Sequence, residues 1–228
     1  MFTLSIIGQK GGSGKTTVAL GVAVAAAKVG ETVVVIDLDP QTNATNWQDR
    51  RTAENPVVLS IQASRLRQTL DTARANGADL VIIDTPGKSE SAAIDAARLS
   101  DLVLIPTRPQ VFDMETLPTM RNLIRAAGDP RAFILYNFIH PQGIRQAEGL
   151  KELTVAHSGL PACPVHLTQR ASYHDAQAQG LCPQETEPEG KAAADLERLY
   201  LFVRSHVNMS ESSRHDEKQP RHIEKCAS

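Results

Sequence analysis

The stretch that most constrains this chain is "GQKGGSGKTT", residues 8–17. Gly11, Gly12 and Gly14 have no Cβ, so the backbone around Ser13 can curl and turn successive N–H groups inward as an anion nest. Before the loop lies an apolar run, "FTLSII" (2–7), that reads as a strand. After it comes "KTTVALGVAVAAAKV" (15–29), a proline-free helix with Gly30 as its stop. That strand–loop–helix setting makes the G-x-x-x-x-G-K-[ST] pattern a phosphate-binding expectation. Lys15 is expected at the β- and γ-phosphates of a nucleotide, and the Thr16 hydroxyl on Mg²⁺. The match is imperfect. Gln9 stands where the first glycine should be, and Lys10 adds a second positive charge.

The rest of the chain alternates apolar β-rich runs with helix-like stretches, the signature of βαβ units around a parallel sheet. Strands are expected over 32–37, 79–86, 101–107 and 132–138, with a weaker one over 164–168. Helices are expected over 43–53, 64–76, 89–98, 113–127, 145–157, 172–179 and 190–206. The strands are continuously apolar, not alternating, which places helices on both sheet faces. The fold class is α/β: a doubly wound, mostly parallel sheet of the phosphate-loop NTPase type. One domain spans 1–207. The residues from 208 to 228, "NMSESSRHDEKQPRHIEKCAS", are nearly devoid of large apolar side chains and read as a disordered polar tail.

A formal net charge of −2 supplies no global basic field for nucleic acid or anionic membrane. Cys163, Cys182 and Cys226 form no C-x-x-C pair and are too scattered for a disulfide framework. The first apolar run is too short for a signal peptide, and no later stretch is long enough to span a bilayer. A cytoplasmic protein is expected.

Two carboxylate motifs end apolar strands. "VIDLDPQ" brings Asp37 and Asp39 to the carboxyl edge of the second strand, where open α/β sheets bind ligands. Alternation places both on one side of an extended chain, so one of them can orient water or the metal's hydration shell; a simple strand-ending turn at Asp39-Pro40 is the competing reading. "LVIIDTPG" carries Asp84 toward Mg²⁺, with Thr85-Pro86-Gly87 as a switch-like turn beside the γ-phosphate.

Together, "KGGSGKTT", "DLDPQ" and "IIDTPG" resemble the deviant Walker A ATPases of the ParA/MinD family, in particular the short ParA-type partition ATPases. "DLVLIPTRPQVFDMETL", "LTQRASYHDAQAQG" and "KAAADLERLY" extend the likeness over residues 2–205. The resemblance implies ATP and Mg²⁺ as ligands, and a dimer that sandwiches two nucleotides face to face. It implies that Lys10 reaches the partner's phosphates, and that Asp39 positions the attacking water, near the metal, while Asp37 supports it. Thr17 matches the residue beside the α-phosphate, and Asn137 the position that often contacts adenine. It further implies slow ATP hydrolysis, non-specific DNA binding in the ATP state, a ParB-like centromere-binding partner and nucleoid association. Helpers of conjugative transfer, positioning factors for protein cargo and ATP-dependent synthetases share the same phosphate machinery.

Other branches fit less well. The tail lacks the apolar face of a MinD-like membrane helix. Cys163 and Cys182 fall too late in the chain for the cluster cysteines of nitrogenase iron proteins. Candidate DNA contacts are Arg121, Arg125, Arg145, Lys151, Arg170, Arg198 and Arg204, without interleaved aromatics. Sequence-specific operator reading through a helix-turn-helix ahead of the first strand is not expected.

Overall fold

The computed structural model describes residues 1–216. Six strands form one sheet: β1 (Phe2–Ile6), β2 (Val33–Asp37), β3 (Val57–Ser60), β4 (Leu80–Asp84), β5 (Leu102–Thr107) and β6 (Ala132–Tyr136). The order is β3-β2-β4-β1-β5-β6, and every pairing is parallel. The helices are α1 (Lys15–Lys28), α2 (Asn43–Gln48), α3 (Leu66–Ala75), α4 (Glu90–Arg98), α5 (Val111–Met114), α6 (Leu117–Ala126), α7 (Ile144–Ser158), α8 (Ala171–Gln177), α9 (Pro183–Thr186) and α10 (Lys191–Asp216).

Side chains alternate across the sheet. Leu4, Ile6, Ile82, Leu102 and Leu104 point to one face, where they pack against α1 and α10. Val103, Ile105 and Ile134 point to the other, against α4 and α6, and Val81 and Ile83 meet α3 beside them. The doubly wound arrangement is therefore the one expected. α1 is buried from Val18 to Ala26, which explains why its sequence is apolar on every side: sheet lies on one flank and α10 on the other.

Several local expectations are corrected. The segment 164–168 forms no strand. It runs beside β6 with irregular pairing, through Cys163 N–H to the Ile134 carbonyl (2.7 Å) and Leu167 N–H to the Tyr136 carbonyl (2.9 Å). Pro161 and Pro164 remove donors that a ladder needs, so the segment covers the β6 edge without joining the sheet. The helix over 113–127 is two helices, α5 and α6, with Pro118 in the first turn of the second. A strand that sequence reading missed, β3, occupies the opposite edge; it has four residues and is largely exposed. α10 continues to Asp216, past the expected end at 206, and residues 217–228 of the expected disordered tail lie outside the described residues.

Candidate functional site

Register gathers the chemistry. Asp84 pairs with Ile6 of β1 on one side and with Asp37 of β2 on the other, so three strands end on one rung directly below the glycine loop. β1 runs into that loop, which delivers Lys15 to the start of α1. A cavity of about 510 Å³ opens there, lined among others by Gly11, Lys15, Thr16, Thr17, Asp39 and Gly87.

The loop is shaped by backbone conformation. Gly12 and Gly14 have φ of +71° and +86°, and a Cβ at Gly14 would collide with the Asn137 amide. Asn137 Nδ2 donates to the Ser13 carbonyl at 2.8 Å, and its Oδ1 accepts the Phe138 N–H, also at 2.8 Å. Both ends of this buried amide are thus engaged in fastening the back of the loop. Phe138 itself has φ +55°, a strained value for a bulky residue. The Arg108 guanidinium lies 5.1 Å from its ring centroid and donates to the Gly12 carbonyl. Neither Phe138 nor Arg108 was singled out from sequence, because no motif marks them.

Lys15 is buried, and its Nζ donates to the Lys10 carbonyl at 3.3 Å. Burial holds its ammonium below the usual lysine range, countered by the charges of Asp84 and Asp39. Thr16 Oγ1 donates to Asp84 Oδ2 at 2.6 Å. Burial pushes the Asp84 carboxyl up to about 7; the Thr16 hydrogen bond pulls it back, and Asp37 adds to the rise. Asp84 Oδ1 is buried without a hydrogen-bond partner. An orphaned carboxylate oxygen beside a threonine hydroxyl is the hard-oxygen donor set that Mg²⁺ takes, so the residues fit that ion. Gly87 closes on the loop: a Cβ there would sit 3.3 Å from Lys15 Nζ and from Gly11 N.

The two carboxylates of "DLDPQ" separate cleanly. Asp37 is buried and accepts from Asp39 N (3.0 Å), Ala44 N (3.1 Å), Thr45 N (3.2 Å) and Thr45 Oγ1 (3.3 Å), so it ties the start of α2 to the sheet. Asp39 is half-buried and lines the cavity, with Oδ1 accepting from Gln41 N at 3.0 Å. α2 then carries Trp47 along the cavity wall, and Arg50 follows just past its end. Lys10, in the loop just before Gly11, has its ammonium 2.7 Å from Asp113 Oδ1. Thr17 Oγ1 accepts from Gln177 Nε2 of α8 at 3.0 Å. Of the basic candidates, Arg121 pairs with Asp129, Arg198 with Asp195 and Arg204 with Glu31. Lys151 donates to the Pro164 carbonyl, while Arg125 and Arg145 are exposed on α6 and α7.

The model of the CobQ/CobB/MinD/ParA nucleotide binding domain matches residues 4–184, which contain the loop and all three strand-end carboxylates. The chain belongs to this family. Its membership makes it a ParA/MinD-type nucleotide-binding ATPase in the broad sense. Among relatives, Maintenance of carboxysome distribution protein A of Gloeobacter kilaueensis is 30% identical over 203 residues, covering 88% of this chain and 91% of that one. Protein ParA of Rhizobium radiobacter is 34% identical over 210 residues, covering 87% and 92%. Among solved structures, septum site-determining protein MinD of Pyrococcus horikoshii, complexed with Mg-ADP, superimposes with a TM-score of 0.70 at 17% identity, covering 89% of this chain and 95% of that one. No helix among the described residues is long and apolar enough to cross a membrane.

Proposed function

We propose that this chain is a ParA-type partition ATPase: it dimerises on ATP, holds non-specific DNA in that state, and is reset by slow hydrolysis that a ParB-like centromere-binding partner stimulates. The observation that carries the reading is the convergence of Lys15, Thr16 with its Asp84 partner, and Asp39 at one cavity, with a second lysine, Lys10, in the same loop. In this reading the nest of N–H groups and Lys15 hold the terminal phosphates of ATP. Thr16 and Asp84 hold Mg²⁺, which when bound neutralises charge developing on the phosphates. Asp39, with one carboxylate oxygen fixed by Gln41 N–H, presents the other to the attacking water and accepts its proton. Lys10 exchanges Asp113 for the phosphates of a second subunit, which offsets the repulsion between two facing ATP molecules.

A second reading, positioning of a protein cargo, is supported by the 88% coverage of this chain by the carboxysome distribution relative. One experiment tests the partition reading. ATP, and not ADP, is expected to shift a random DNA duplex in a gel, and less so as salt rises. Protein that binds ATP yet ignores DNA at low salt would overturn the DNA-partition reading and move the cargo-positioning and synthetase readings ahead.

A further inference from the structure

Thr17 is the third side chain of the first turn of α1, and its partner lies far away in sequence. Lys15 turns toward the Lys10 carbonyl and Gly87, and Thr16 turns toward Asp84. One residue on, about 100° further around the helix, Thr17 faces α8, where Gln177 Nε2 donates to its Oγ1 at 3.0 Å. Both side chains line the cavity. α8 and the turn after it are held in that place by α2 and the residues just past it: Arg50 Nη2 donates to the Gln177 carbonyl at 3.2 Å, and Trp47 Nε1 to the Leu181 carbonyl at 3.0 Å.

A hydroxyl has one proton and two lone pairs. When an amide N–H fills a lone pair, the proton is left to be donated elsewhere, and for Thr17 the open direction is the cavity. We infer that Gln177 is a positioning residue: by donating to Thr17 Oγ1 it fixes that hydroxyl as a donor toward the phosphate of the nucleotide nearest the sugar. The inference rests on the nucleotide-binding reading of the cavity. The assignment to the sugar-proximal phosphate rests on the partners of successive α1 residues: Lys15 lies beside Gly87 and Thr16 bonds Asp84, whereas Thr17 bonds Gln177 of α8. A hydrogen bond to a charged acceptor is among the stronger kind, so losing its orientation is worth about a tenfold change in affinity.

The test is binding of fluorescent ADP and of a non-hydrolysable ATP analogue at equilibrium, without turnover. Gln177→Glu reverses the polarity, since the carboxylate accepts from Thr17; it is expected to weaken both nucleotides by about tenfold or more and by the same factor. Gln177→Leu, which leaves the hydroxyl unoriented, should weaken both less. In a Thr17→Val background Gln177→Leu should change nothing further, because the residue acts through that hydroxyl. Additive losses in that background, or a Gln177→Leu protein that binds like wild type, would overturn the inference. So would a loss confined to the ATP analogue, which would place Gln177 at the distal end. Melting of the nucleotide-free protein checks that Gln177→Leu is folded, with Gln177→Met as the substitute if it is not. Lys15→Ala distinguishes the two levels: if it binds nucleotide normally, the reading of the cavity fails, whereas its loss with normal Gln177 variants sinks this inference alone.

Discussion

Asp84 is the residue with the most at stake. It is buried, one of its oxygens is bonded to Thr16, and the other has no partner. Its pKa of about 7 has a definite consequence for stability. The folded protein holds this proton more tightly than the unfolded chain, so without ligand stability falls as pH rises from about 4, the unfolded value, to about 7, and then levels. Asp84→Asn should flatten that fall in thermal melts of the nucleotide-free protein, and should abolish the added stability that Mg²⁺ with nucleotide gives at pH 8. A wild-type melting temperature that climbs over that window with no change in the variant would refute the assignment. Asp84 was legible in sequence because an apolar strand with a terminal carboxylate is a local pattern. So were Lys15, Thr16 and the glycines. Gln177 and Asn137 were not legible in their observed contacts, because they reach Thr17 and Ser13 across 160 and 124 positions. Only the fold brings such partners together.

Among elements, α2 matters beyond its six residues. Asp37 ties its start to the sheet, and its far end is bolted to the α8–α9 segment. Arg51, just past α2, donates to both oxygens of Glu185 at 2.8 and 3.0 Å, with its side chain only 3% exposed. Removing one partner of such a pair leaves an uncompensated charge in a nearly dry site, at a cost of about 3 kcal/mol. Arg51→Ala should therefore lower the urea midpoint clearly, and Glu185→Ala by a similar amount; an unchanged midpoint in either would show that the bridge contributes nothing. Sequence reading placed a helix here but ran it to 53, and it passed over β3. The helix ends at Gln48, and the turn that follows brings Arg51 to Glu185; β3 is too brief and too exposed to carry an apolar signature. The long buried strands had no such ambiguity, since both of their faces are covered by helices.

At the scale of the whole molecule, the proposed switch would require Lys10, whose ammonium meets Asp113 of its own chain, to change partner. Sedimentation with ATP should show Asp39→Ala accumulating as a dimer, because hydrolysis no longer resets it. Lys10→Ala should remain a monomer under the same conditions. A Lys10→Ala protein that dimerises and turns over ATP normally would remove the trans role of that residue. Arg125 and Arg145 are exposed on α6 and α7, two helices that pack together.

The shared rung of Ile6, Asp84 and Asp37 has one more consequence. A slip of β4 by a single residue would turn Asp84 to the opposite face and carry it away from Thr16. A misregistered chain would then be blind to nucleotide, while a correctly threaded one would be captured by it. A bound nucleotide would thereby stabilise the correctly registered molecule relative to the slipped one.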